Sequence, residues 1–298
     1  MTTDTDALVA TFLDTWSQMS PEPFLERYGA VEEEVWEDRL RASITQPVQD
    51  GLTFPLMPPV AVQERINGHA GETAMNEAMR FYRVTLAYCQ RLEFDVTRNR
   101  TLLDFGTGWG RTIRPFMNRI ELRNLHAYDA MPMFCQMARL LNPYITVTSG
   151  PDVPPTIYDY RQFDMVVAYS VLTHLPPNLA RSWFEEFARI LKPGGLLIIT
   201  TWGARFLETL VKEEQRMKAG QEIHWFHKQV IEAAGKLDDI ALAHKGGQIV
   251  FIPSSVNPNY GDTLMSPKAA RGLSVNGLEL AAYDDSALPQ DLFVFRRV

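Results

Sequence analysis

Residues 101–116 read TLLDFGTGWGRTIRPF: an apolar run, three glycines at alternate positions, then apolar residues at helical spacing. Glycine has no Cβ, so Gly106, Gly108 and Gly110 allow left-handed backbone and close approach of a ligand. Two familiar phosphate readings fail. A dinucleotide loop sets its third glycine one turn into the helix, where this chain has Arg111. A P-loop needs Gly-Lys followed by Ser or Thr, and no such triplet follows. What remains is G-x-G-x-G after an acid, Asp104, at a strand end; the same glycines would also serve a plain tight turn. Asp129 closes the next apolar run, LHAYD, about 20 residues on, where a doubly wound nucleotide site sets the acid that accepts from ribose hydroxyls. An aspartate there would also favour the start of a helix at Pro132, and the two uses are compatible.

From residue 96 to the end, short apolar runs alternate with helical patterns. Runs at 101–105, 125–128, 145–148, 165–169 and 196–201 read as strands, and 248–252 and 291–296 would complete a sheet. Between them, Ile113, Phe116, Met117 and Ile120 share a helical face, as do Phe134, Met137, Ala138 and Leu141, and Trp183, Phe187, Ile190 and Leu191. The last of these helices is expected to stop at Lys192-Pro193-Gly194-Gly195. Strands alternating with amphipathic helices imply βαβ units: an α/β fold with a doubly wound, mostly parallel sheet. Residues 1–95 differ. Leu8, Phe12, Trp16 and Met19 share one helical face before Ser20-Pro21; Val35, Trp36 and Leu40 suggest a second helix; Met75, Met79, Tyr82, Leu86 and Cys89 a longer buried one. The Pro- and Gly-rich stretch LTFPLMPPVAVQERINGHAGE reads as irregular. The expected organisation is an N-terminal helical region over 1–95 and an α/β domain over 96–298, with an insertion at about 203–275.

Composition narrows the classes. The 298 residues are 46% hydrophobic and carry a net charge of −7, with no Lys/Arg run, which argues against a nucleic-acid partner. No apolar stretch reaches the roughly 18–20 residues that span a bilayer, and MTTDTDALVA lacks a signal-peptide pattern. The two cysteines, Cys89 and Cys135, sit in helical patterns and show neither metal nor disulfide spacing. A soluble, cytoplasmic protein is expected, with no membrane partner.

Four motifs, LLDFGTGWGR, AYDAMPMFCQMAR, FDMVVAYSVLTHLPP and ARILKPGGLLIITTWG, occur in order over residues 100–203. Together they resemble the class I S-adenosylmethionine (SAM)-dependent methyltransferases, and the terminal QDLFVFRRV resembles the last strand of the branch acting on small molecules or glycan units. The resemblance implies a seven-stranded Rossmann-like sheet, SAM as cofactor and S-adenosyl-L-homocysteine as product, with no metal. It sets Gly106, Gly108 and Gly110 against the methionine part of SAM, Asp104 near its ammonium, and Asp129 with Ala130 at the ribose. Asp152 in SGPDVPP falls where the family lines the adenine, and Tyr169 and Ser170 at the reactive end. Arg111 sits where the family often carries arginine; it would pair with a carboxylate, either a protein acid or that of the cofactor.

Methyl transfer from a sulfonium is an in-line displacement, so the protein must align the acceptor, exclude water and remove any acceptor proton. His174 in SVLTHLPP is the base candidate; its ring could instead hold the loop. HWFHKQ offers His224 and His227 at i, i+3 without a third ligand, so His227 or Trp225 facing an acceptor is the better reading than a metal. VNPNYGDTLMSP supplies Asn257, Tyr260 and Asp262 to a loop that would suit a substrate wall. The fourth run ends in AYSV, not the Asn-Pro-Pro-Tyr type of base-amine methyltransferases, and no cysteine stands at a strand end. A small-molecule hydroxyl, sugar-like or of a secondary metabolite, is therefore the expected acceptor. The alternatives are a small amine, which needs an aromatic or acidic pocket but no strong base, and a SAM-binding protein without chemistry. Residues 1–95 would act as a lid, and a homodimer is compatible with the reading.

Overall fold

The structure, a computed structural model, describes residues 23–255, 257–273 and 277–298. The helical face at Leu8, Phe12, Trp16 and Met19 and the break at Ser20-Pro21 lie outside these residues. The chain divides into two compact units, Met1–Asp152 and Val153–Val298.

The first unit opens with helices α1 (Pro23–Tyr28) and α2 (Glu33–Ala42) and a two-residue hairpin, β1 (Val48–Gln49) with β2 (Leu52–Thr53). Helix α2 buries Trp36 and Leu40 as expected, while Val35 stays exposed. The stretch expected to be irregular contains a helix, α3 (Val60–Asn67). Pro59 precedes it and Gly68 follows in a left-handed conformation (φ 77°), the Pro-before, Gly-after punctuation of a short helix. Helix α4 (Gly71–Arg91) buries Met75, Met79, Tyr82 and Cys89 along one stripe.

Three parallel strands follow: β3 (Leu102–Phe105), β4 (Leu125–Asp129) and β5 (Thr146–Ser149). Helix α5 (Pro132–Leu141) lies between the last two and buries Cys135, Ala138 and Leu141. The amphipathic helix expected over 113–120 does not form as an α-helix: the segment is a series of turns with a 3-10 helix at Arg114–Asn118. Arg114, buried in this segment, donates to the Asn142 side chain and the Leu56 carbonyl. The four predicted core residues, Ile113, Phe116, Met117 and Ile120, are nonetheless buried.

The second unit carries β6 (Phe163–Ala168), a 3-10 turn at Leu172–His174, α6 (Pro177–Ile190) and β7 (Leu191–Thr201), with β6 and β7 parallel. Every residue of β6 is buried, as in a parallel strand covered on both faces. Lys192–Gly195 does not stop the helix from outside the sheet; it forms a bulge inside β7, where the register jumps between Phe163 and Met165. Then come α7 (Ala204–Lys218), α8 (Trp225–Ala234), α9 (Leu237–Gly246), the hairpin β8 (Val250–Pro253) and β9 (Gly261–Leu264), α10 (Pro267–Gly272), β10 (Leu278–Asp284) and β11 (Asp291–Arg297).

The main sheet has seven strands in the order β10-β11-β7-β6-β3-β4-β5, antiparallel only in the pairings of β11 with β10 and β7. This is the expected doubly wound, mostly parallel Rossmann-like sheet with helices before it. One strand assignment is corrected: 248–252 does not join this sheet but forms β8 of the separate hairpin, and the seventh strand is β10. Only Ile252 of β8 is buried, as suits a hairpin covering a small cluster of α7, α8 and α9.

Candidate active site

In the first unit the glycine loop leaves β3 and turns back under constraints set by its neighbours. Gly106, Gly108 and Gly110 all take positive φ, at 74°, 56° and 86°. A Cβ on Gly110 would stand 2.4 Å from Asn142 Nδ2, so that glycine serves packing as well as conformation. Asn142 fixes the loop through Nδ2 to the Trp109 carbonyl at 2.9 Å.

Two carboxylates close the loop. Asp104 Oδ2 accepts from the hydroxyls of Thr107 and Thr112, each at 2.7 Å. Burial pushes its pKa up to about 6 against the pull of those hydrogen bonds. Asp129 accepts from the backbone N–H of Gly108 at 2.9 Å and of Met131 at 2.8 Å, one on each oxygen. It therefore ties the loop to the end of β4 and to the residue that precedes α5. A carboxylate has about four acceptor positions, so with Ala130 as a further backbone donor it can still receive a hydroxyl. Burial raises its pKa, opposed by these backbone donors.

Arg111, which stands where a dinucleotide loop would have its third glycine, reaches α4: Nη1 donates to the Ala74 carbonyl at 3.0 Å and to Glu77. Glu77 also meets His69 Nε2 at 3.1 Å. The carboxylate partner is thus a protein acid, the first of the two expected kinds. Ala130 follows Asp129 at the head of α5, and Asp152 is exposed at the end of its unit.

In the second unit Tyr169 is buried and Ser170 takes a left-handed φ of 59° at the end of β6. For a residue with a Cβ that conformation is held by its surroundings. The Ser170 N–H donates to Thr200 Oγ1 at 2.8 Å, Thr200 donates to Gln290 Oε1 at 2.6 Å, and Gln290 Nε2 donates to Ser170 Oγ at 2.8 Å. Thr200 and Gln290, from β7 and the start of β11, carried no sequence signal for this role.

His174 lies four residues further on, half-buried. Its Nδ1 is 2.9 Å from the Gly261 carbonyl, which can only accept, so Nδ1 carries the proton. Nε2 is then the lone-pair nitrogen. Burial lowers its pKa, so the ring is neutral near pH 7. Tyr260 stacks on it, ring centroids 4.6 Å apart and 15° from parallel. Next to Tyr260, Asp262 accepts from Trp202 Nε1 at 3.0 Å, and burial pushes its pKa up to about 6. Burial and Asp262 both raise the Tyr260 pKa, which keeps that hydroxyl a proton donor.

Two cavities of this unit adjoin these groups. One of about 580 Å³ is lined by Trp202, Phe206, Phe226, His224 and His227, with Trp202 and Phe206 stacked at 4.2 Å. The other, about 360 Å³, is lined by Phe226, Asn257, Tyr260 and Asp262. His227 keeps a lowered pKa through burial, with Nδ1 3.9 Å from Glu213. Among the described residues no group of three or more His, Cys, Asp or Glu is placed to hold a metal ion. Cys89 and Cys135 are buried free thiols.

Residues 76–237, just over half of the chain, match the family described as "Methyltransferase domain". This chain belongs to the class I SAM-dependent methyltransferases. A curated relative, O-methyltransferase 3 of Dictyostelium discoideum, is 24% identical over 168 residues, 49% of this chain and 38% of that protein. The methyltransferase thus spans well under half of that relative's length. Among solved structures, a methyltransferase in complex with the Haloferax volcanii Trm112 activator is 15% identical, with 79% of this chain and 96% of that chain covered and a TM-score of 0.49. The Burkholderia thailandensis 1,6-didemethyltoxoflavin-N1-methyltransferase, solved with S-adenosylhomocysteine, is 13% identical, covers 90% and 91%, and has a TM-score of 0.48.

The residues present fit SAM. Asp129 keeps acceptor capacity for a ribose hydroxyl beside its backbone donors, and a Cβ at Gly108 would meet only Ile66, at 3.7 Å, so the loop's outer surface is open to a ligand. Among the described residues no helix is long and apolar enough to cross a membrane.

Proposed function

We propose that this methyltransferase methylates a hydroxyl of a small molecule, sugar-like or of a secondary metabolite, with His174 as general base. The observation that carries the reading is the tautomer: the Gly261 carbonyl takes the Nδ1 proton, leaving a neutral Nε2 able to accept one. Bound SAM supplies an electrophilic methyl on a sulfonium, whose departing thioether needs no acid assistance. The chain's tasks are then to bind, to orient and to take up the acceptor proton.

In the first unit Asp129 and the glycines Gly106, Gly108 and Gly110 would hold the cofactor, with Ala130 beside them. Arg111 acts there as a brace through Glu77, and Asp104 as the anchor of Thr107 and Thr112. Asp152, Tyr169 and Ser170 complete the proposed cofactor contacts, and Ser170 owes its position to Thr200 and Gln290. Tyr260 would keep the His174 ring in plane and offer its hydroxyl to the acceptor. His227 and the aromatic walls of the 580 Å³ cavity suit a flat or ring-bearing acceptor, a volume in the usual range for small ligands. The Dictyostelium relative's name, an O-methyltransferase, agrees with oxygen as the acceptor atom.

A second reading has its own support. Asp262, an anion above about pH 6, stands with Trp202 and Phe226 in surroundings that would suit an ammonium group, and so N-methylation of a small amine. The test is an acceptor screen with His174→Gln. For O-methylation, kcat falls by about 10²–10⁴ while SAM affinity by calorimetry is unchanged. Unchanged kcat on the best acceptor sinks the base assignment and favours the amine.

A further inference from the structure

The second unit contains a third cavity, about 910 Å³, that shares no lining residue with the two described above. Leu207 and Val211 of α7 and Ala241 of α9 form an apolar floor, the outer edge of the cluster under the β8–β9 hairpin. Around it stand four cations, Lys212, Lys245, Lys268 and Arg271, against one carboxylate, Glu208. In a chain of net charge −7 this is a local reversal of sign. None of the four cations has an ion pair among the described residues. The stem of Lys268 lies across Gly247, where a Cβ would stand 2.6 Å from its Cγ.

His244 also lines the cavity and is 8% exposed. One ring nitrogen bonds the Met265 backbone, and its Nε2 is buried with no partner. A buried polar atom left unpaired carries a desolvation cost that a ligand in the cavity would remove. Free cations, an apolar floor and an unpaired imidazole nitrogen together define the complement: an anion that can also hydrogen-bond to Nε2 and that carries a hydrocarbon body.

We propose that this cavity binds a phosphate monoester with an apolar chain. As the monoanion, the phosphate supplies one negative charge to Lys212, Lys245, Lys268 and Arg271 and keeps one acidic O–H that donates to His244 Nε2. The chain covers Leu207, Val211 and Ala241. A phosphate with no apolar body leaves that floor wet, and an uncharged alcohol leaves the cations unpaired.

The experiment is calorimetric titration of the full chain with monomeric dodecyl phosphate, with inorganic phosphate, dodecanol and phosphatidylglycerol vesicles as separate arms. Dodecyl phosphate is expected to bind and the other three more weakly. The double variant Lys212→Glu, Lys268→Glu changes exposed positions, and its unfolding temperature verifies that it folds. It should bind dodecyl phosphate about tenfold or more weakly. The ¹⁵N resonance of His244 Nε2 should shift on binding, a response that screening of surface charge would not produce. Failure of dodecyl phosphate to bind, equal binding by the double variant, or a silent His244 resonance overturns the proposal. Vesicle binding without binding of the monomer also overturns it, in favour of a membrane-facing basic patch. Inorganic phosphate binding as tightly as dodecyl phosphate removes the apolar part of the site.

Discussion

At the scale of the residue, a single carbonyl decides what His174 can do. Gly261 C=O fixes the proton on Nδ1, and burial holds the ring neutral, so the proposed base is ready without a carboxylate partner. The sign of its pH dependence follows. A base with a lowered pKa is protonated, and inactive, only on the acid side, so kcat/KM should fall only at pH below the ordinary histidine range and be flat above it. An alkaline fall with no acid limb in a pH–rate profile would remove His174 from that role. Asp129 is a doubly used carboxylate: it holds the N–H of Gly108 and that of Met131, the residue before α5. Asp129→Ala should weaken SAM by roughly 1–3 kcal/mol, read by calorimetry. Gly110→Ala brings a methyl against Asn142 at a φ of 86°. It should lower unfolding free energy by roughly 2–4 kcal/mol in denaturant titration.

At the scale of the element, the glycine loop is held by the helices before it. Arg111 reaches Glu77 and the Ala74 carbonyl on α4, Trp36 Nε1 of α2 donates to the Pro115 carbonyl at 2.8 Å, and Arg119 pairs with Glu33. Arg114, 1% exposed, donates from Nη2 to the Leu56 carbonyl at 2.7 Å and from Nε to Asn142 at 2.8 Å. Burial without a carboxylate beside it lowers its pKa to about 9. The N-terminal helices therefore brace the loop proposed to bind the cofactor. Glu77→Gln removes the carboxylate that Arg111 pairs with and should cost roughly 1–3 kcal/mol of stability, discounted for Glu77's partial exposure. SAM affinity should fall with it, since the loop loses its clamp; a variant with lower stability and full SAM affinity would show that the brace is structural alone. Local sequence told little of this. The sequence left open which kind of carboxylate Arg111 meets, because its partner is thirty-four positions earlier in the chain. The 113–120 pattern correctly named the buried residues but not the conformation, because the segment's contacts with distant residues such as Leu56 and Asn142 outweigh helical spacing.

At the scale of the whole molecule, pH acts on stability through two opposed sets of groups. Asp104, Asp262 and Asp291 have pKa values raised to about 6, chiefly by burial. Between about pH 4 and 6 the fold holds protons that the unfolded chain has released, so their contribution to stability falls as pH rises through that window. His126, His174, His227 and His244 have lowered values, so the unfolded chain binds protons first as pH drops below about 6.5. Their contribution rises with pH. Asp262→Asn removes one acid of the first set: relative to the unmodified protein it should gain on the order of 1–3 kcal/mol as pH goes from 4 to 7. Unfolding free energies measured at the two pH values check the sign, and a constant difference would mean that Asp262 ionises normally.

The sequence by itself determined the α/β class, the order of the first five strands and the methyltransferase family. Those signals are local: apolar runs closed by glycines, helical faces between them, and motifs whose spacing survives without any knowledge of contacts. It did not place the seventh strand, because residues 278–284 alternate weakly and become a strand only by pairing with β11, while 248–252, the more apolar run, turns away to pair with β9. Nor did it show why His174 has a free Nε2, why Ser170 tolerates a left-handed backbone, or why Asp262 stays partly protonated. The first two rest on partners from other elements, Gly261 and Thr200 with Gln290, and the third on burial acting against the Trp202 hydrogen bond. Tertiary structure decided these because tautomer, strain and pKa are set by the atoms within a few ångströms of a group, and in a folded chain those atoms come from residues far away in sequence.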